Sequence, residues 1–78
     1  MKKIENSECL YDFGNYIRKA REEKGMMQRE VAELVGISQN YYSEIENGLI
    51  SRLNIVLALQ ICQSLKLDLN GFVAKYLK

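Results

Sequence analysis

The 78-residue sequence has no histidine, no proline and only two cysteines, Cys9 and Cys62, far apart and without a CxxC spacing. Zinc sites and most acid–base enzymes depend on histidine or on clustered cysteine, so metal ligation and that kind of catalysis lack their usual parts. No metal, cofactor or small-molecule ligand is expected, and Cys62 reads as a core residue. Carboxylates and serines remain, but no base–nucleophile pairing gives them a mechanism, so no enzyme is expected. No apolar run is long enough to cross a bilayer, and the opening MKKIENSE is too polar for a signal peptide. The chain therefore reads as cytoplasmic, with reduced thiols.

Charge is scarce in balance rather than in number: eleven bases against ten acids leave a net +1. The distribution is uneven. Residues 28 to 50 hold one base, Arg29, against Glu30, Glu33, Glu44 and Glu46, while the remainder holds ten bases against six acids. Attraction to a polyanion would have to come mainly from outside this central segment.

With 47% hydrophobic residues the chain can bury one small core without disulfides. Apolar residues recur every three or four positions rather than alternating, so an all-helical domain is expected. After a polar arm, residues 1–11, the domain would occupy 12–78. In 12–24, DFGNYIRKAREEK, Phe13, Ile17 and Ala20 share one helical face, and Gly25 is a stop signal. QREVAELV, 28–35, ends at Gly36 and is followed by Ile37 and the N-cap residue Ser38. The next helix, 39–47, has a narrow apolar face of Tyr42 and Ile45. Its Asn40, Ser43, Glu44 and Asn47 fall opposite that pair, and Glu46 turns back toward the core. Asn54 caps IVLALQICQSLKL, expected to be the most buried helix of the set. Asp68 caps a last helix carrying Leu69, Phe72, Val73, Tyr76 and Leu77.

Two short helices joined by a glycine-containing turn, the second with a polar ridge, suit insertion into the DNA major groove. Ordinary helical domains also contain such pairs, and a solvated helix face is the plain alternative for the ridge. The longer pattern Ile17-Arg18-x2-Arg21-x3-Gly25-x2-Gln28-x3-Ala32-x3-Gly36-Ile37-Ser38-x4-Ser43-x2-Glu46-Asn47-Gly48 closely resembles the Cro/repressor helix-turn-helix family, also called the xenobiotic response element type. The resemblance covers about residues 13 to 73. It implies a compact five-helix bundle of the lambda repressor-like DNA-binding type, bacterial or phage-encoded. Such proteins bind double-stranded DNA at short, near-palindromic operators as homodimers and regulate transcription.

Carried onto this sequence, the resemblance puts Gln28 against a phosphate at a helix N-terminus and Gln39, Asn40 and Glu44 against base edges. Gln or Asn can pair bidentately with adenine, and Glu can accept from cytosine N4. Ser38 and Ser43 would add phosphate or base hydrogen bonds, and Asn47 with the loop after it matches a phosphate-contacting segment; from its place at the margin of the core face, Tyr41 could reach a phosphate through its hydroxyl. Arg21 and Glu46 match a structural ion pair joining the first helix to the end of the reading helix. Val73, Tyr76 and Leu77 offer a dimer seam, with packing on the core or the first helix as the alternative. The sequence departs from the pattern in two places. Met27 stands where Ser or Thr often caps, and the loop after Gly48 reads Leu49, Ile50, Ser51, Arg52, leaving Arg52 as its one cation. That loop and the acidic central segment favour a competing reading: a protein-interaction or antitoxin-like module with weak DNA binding. Within the regulator class, a phage repressor and a restriction-modification controller suit so short a chain better than a host regulator with an effector domain.

Overall fold

The computed structural model describes residues 4–76, which form five α-helices and a closing 3-10 turn, with no strand among the described residues. The first helix, α1, runs Asn6–Glu23. It therefore starts six residues before the start at 12 expected from the sequence, and residues 6–11 belong to it rather than to an arm. Neither glycine nor proline interrupts this stretch, and half-buried Cys9 extends the stripe of Phe13, Ile17 and Ala20 by one turn. The Asn6 amide also ties the first turn to the Ser51 carbonyl at 2.9 Å.

Helix α2 spans Gln28–Val35 and α3 spans Gln39–Glu46. Met27 supplies no side-chain cap to α2. Instead the Glu30 carboxylate accepts the Met27 backbone N–H at 2.8 Å, which is half of a capping box. The helix ends at Gly36, whose φ of 77° is left-handed, and Ile37 N–H donates back to Ala32 C=O at 3.0 Å. This Schellman arrangement needs a residue without Cβ strain at Gly36. It reverses the chain in three residues before Ser38, whose Oγ accepts the Tyr41 N–H at 3.1 Å and starts α3.

Helix α4, Ile55–Ser64, is capped by Asn54, which accepts from the Val56 and Leu57 N–H groups at 2.7 and 3.2 Å. It is not the most buried helix. Ala58, Ile61 and Cys62 face the core, but Ile55, Val56 and Leu59 are 63%, 56% and 48% exposed. A helix that is apolar around more than half its circumference needs partners on several sides; α2 packs against it, while Ile55, Val56 and Leu59 on its N-terminal outer face stay exposed among the described residues. Asp68 caps α5, Leu69–Val73, and the chain then tightens into the 3-10 turn Ala74–Tyr76.

One core joins all five helices. Ile17, Val31, Tyr42, Ile45, Ile61 and Leu65 are essentially inaccessible to solvent. Phe72 closes the bottom, its ring 5.5 Å from Phe13 in an edge-to-face contact and 5.4 Å from Tyr76. The helix that bears the polar ridge is thus fixed on its inner side by Tyr42 and Ile45.

Candidate nucleic-acid interface

The outer surface of α3 divides by position. Gln39 and Asn40, in its first turn, are exposed; Ser43 and Glu44 are half-buried along the ridge; Tyr41 is half-buried against the core. The Ser38 hydroxyl is engaged as the cap, so its oxygen acts first on the backbone of α3. Arg52 is exposed in the loop before α4.

Two residues expected at phosphates are engaged inside the protein. Asn47 is exposed, yet its Oδ1 accepts from Arg18 at 3.0 Å and its Nδ2 donates to the Ser43 carbonyl at 2.9 Å. It acts as the C-cap of α3. Gln28 donates its amide to Glu46 Oε1 at 3.0 Å. The anion-attracting feature at the start of α2 is then its unsatisfied backbone N–H groups, with the Gln28 side chain turned partly inward. The start of α2 borders a shallow concavity of about 420 Å³ lined by Arg21, Met26, Met27, Gln28, Arg29 and Gln39. Arg29 stands there 65% exposed, held only loosely by Glu33 at 3.9 Å. In the sequence Arg29 stands out only in the charge balance. Its place directly after Gln28, in the first turn of α2 and one residue from the free N–H groups, was the available signal.

The other end of α3 is clamped. Glu46 is completely buried, and its carboxylate accepts a fork from Arg21, Nε to Oε2 at 2.6 Å and Nη2 to Oε1 at 3.1 Å. Arg21 Nη1 also donates to the Met26 carbonyl at 2.8 Å. Burial pushes the Glu46 carboxyl up, but the Arg21 and Gln28 hydrogen bonds outweigh it and hold the group below its usual range. The Tyr42 hydroxyl is buried beside this cluster without a hydrogen-bond partner. Burial, then the neighbouring Glu46, raise its pKa far above the ordinary phenol value.

Two further α1 residues reach the same end of α3. Arg18 Nη2 donates to the Glu46 backbone carbonyl at 2.9 Å as well as to Asn47. A Cβ at Gly14 would overlap the Glu46 carbonyl oxygen and lie 2.6 Å from that of Ile45, so α1 passes directly against the helix terminus. Neither role was assigned from the sequence. Arg18 lies three residues before Arg21, on the same side of α1, and a glycine inside a periodic helix is the usual mark of a close approach.

Of the residues offered for a dimer seam, the two that are described take the alternative packing within the chain. Tyr76 packs on Phe72 and donates its hydroxyl to Asp12 at 2.6 Å, beside Lys75 at 2.7 Å from the same carboxylate. Val73 is half-buried against the core, and Leu77 lies outside the described residues. The structure therefore shows Val73 and Tyr76 packing on the core and on α1.

Among the described residues no group of histidine, cysteine and carboxylate side chains is arranged to hold a metal ion. None of their helices is long and apolar enough to cross a membrane.

Comparison with known proteins agrees with this geometry. The chain is similar to the clp gene regulator ClgR from Corynebacterium glutamicum, with 27% identity and a TM-score of 0.79 over 85% of this chain and 69% of that one. A second structure of ClgR gives 26% identity and a TM-score of 0.80, over 92% and 91% of the two chains. It is likewise similar to the restriction-modification controller protein C.AhdI from Aeromonas hydrophila, at 25% identity and a TM-score of 0.78, over 88% of this chain and 99% of that one. No curated protein matches by sequence. Residues 17–72 match the family described as Helix-turn-helix, which takes in every element from the middle of α1 to α5. The chain belongs to the helix-turn-helix family of the Cro/repressor type.

Proposed function

We propose that the protein is a transcriptional regulator that binds a short, near-palindromic DNA site as a homodimer, with α3 of each copy in the major groove. Family membership supports the DNA-binding part, and the two similar regulators support the control of genes. The observation that carries the specific reading is the first turn of α3. Gln39 and Asn40 stand exposed there on a helix capped by Ser38 and fixed from behind by Tyr42 and Ile45. Such amides can pair with adenine N6 and N7, while phosphates meet Arg29, Arg52 and the free N–H groups of α2. Glu44 accepts from a cytosine amine or, unmatched, rejects sites by repelling phosphate.

Two such helices would read half-sites about 34 Å apart on one face of the duplex. The partner surface is the outer face of α4. Ile55, Val56 and Leu59 are exposed there, and from Leu53 to Leu65 the chain carries no charge, so two copies can meet without like-charge repulsion. The similarity to a restriction-modification controller and to a clp gene regulator supports gene control of either kind.

Footprinting on DNA upstream of the protein's own gene, with random-site selection at varied salt, tests the reading. A protected, selected sequence is expected, and Gln39→Ala or Asn40→Ala should each cost about 1 to 3 kcal/mol at that site with the fold intact. Equal affinity for all sequences would sink it. One observation favours the second reading, a protein-interaction module: Leu49 is 72% exposed where a basic residue would serve DNA. Loss of partner binding on Leu49→Ser, with no DNA site found, would select that reading.

A further inference from the structure

We propose that Arg18 is a positioning residue of the DNA-reading helix, setting site affinity by holding the C-terminal end of α3 without touching DNA. The proposal rests on the reading of α3 as the groove helix. An eight-residue helix leaves its last carbonyls without intrahelical partners, and a small tilt about its capped end moves every side chain along it. Ser38 secures the first end of α3. At the second, one Arg18 nitrogen donates both to the Glu46 carbonyl, at 2.9 Å, and to Asn47 Oδ1, at 3.0 Å. Its other terminal nitrogen is 3.3 Å from Asn15 Oδ1, so the guanidinium is itself steadied from α1.

The division of labour with Arg21 is chemical. Arg21 grips the Glu46 side chain from a nearly closed position, 12% exposed, and completes the core. Arg18 is 34% exposed; its Nε lies a looser 3.6 Å from Glu46 Oε1, and its direct hydrogen bond is to the backbone at the end of the helix, where its charge also meets the negative end of the helix dipole. Gly14, one turn earlier, lets α1 come close enough for this grip by placing no side chain between the two helices. Removing Arg18 takes one longer ion-pair contact from Glu46 but leaves the Arg21 fork and the apolar core in place, while freeing the reading helix at one end. Base-edge hydrogen bonds tolerate little displacement, so the cost should appear in DNA recognition more than in folding.

The test compares Arg18→Gln and Arg18→Lys with the wild type in DNA affinity across salt, in selected site sequence and in thermal unfolding. Both variants should lose about tenfold in affinity for the selected site, and base preference opposite α3 should weaken. The salt slope should stay as in the wild type, because no phosphate contact is lost. In the free protein, amide exchange should quicken at Asn47, Gly48 and Leu49, whose N–H groups close the end of α3 on Ser43, Ile45 and Glu44. A slope reduced by about one, or affinity restored by lysine, would make Arg18 a direct phosphate contact and overturn the proposal. Unchanged affinity, or a loss matched by general unfolding, would also overturn it. If glutamine prevents folding, the lysine variant decides alone. A wild type blind to sequence would instead remove the groove reading itself, and the proposal with it.

Discussion

Glu46 is the one buried charged residue among the described ones, and its environment makes a sharp stability prediction. Replacing it with alanine strands the Arg21 guanidinium in a nearly closed site and should cost about 3 to 5 kcal/mol in denaturant unfolding. That is a large share of what a domain of this size has to lose. The same carboxyl gives a pH dependence. Its folded-state pKa lies below the ordinary 4.5, so its contribution is complete above that value and disappears as pH falls through the lowered one. Acid unfolding of Glu46→Gln should accordingly show a shallower fall below pH about 4.5 than the wild type. The Arg21–Glu46 link was legible because both residues lie at the margins of their helices' apolar faces. The engagement of Asn47 and Gln28 was not, since a projection that turns a side chain outward says nothing of the neighbour that reaches across to bind it.

At the scale of elements, the caps are the most exposed points of control. Asn54 satisfies two backbone donors at the start of α4, and Asn54→Ala should lower unfolding stability by about 1 kcal/mol, read from the denaturant midpoint at unchanged slope. Gly36→Ala should cost at least as much through strain at positive φ, loosening the hinge between α2 and α3. Helices α2 and α3 were legible to within a residue because glycine and serine punctuate them. The start of α1 was less so: the polar letters of its first turns concealed Cys9, whose burial continues the stripe. The rank of α4 was not legible, because apolar content measures how much surface a helix could bury, and the number of neighbours decides how much it does. The C-terminal periodicity was real, but its aromatic members pack on α1 through Phe72, Tyr76 and Asp12 rather than facing outward.

For the whole molecule, an uncovered apolar face on α4 predicts self-association. Sedimentation should show a concentration-dependent dimer, and Leu59→Glu should shift it to monomer with little change in helix content. A monomeric wild type at high concentration would contradict the dimer on that face. The chain has no tryptophan and five tyrosines, so its near-ultraviolet spectrum is a tyrosine spectrum. Tyr42 is sealed in the core with no partner for its hydroxyl, and it resists ionisation well beyond the ordinary value of 10. Stability should therefore fall as pH climbs past about 10, because the unfolded chain loses a proton there that the folded one keeps. Tyr42→Phe should abolish that part of the alkaline loss at little cost in neutral solution. The interior phenol thus acts as a built-in optical gauge: in alkaline solution its phenolate band grows as α3 comes away from the core.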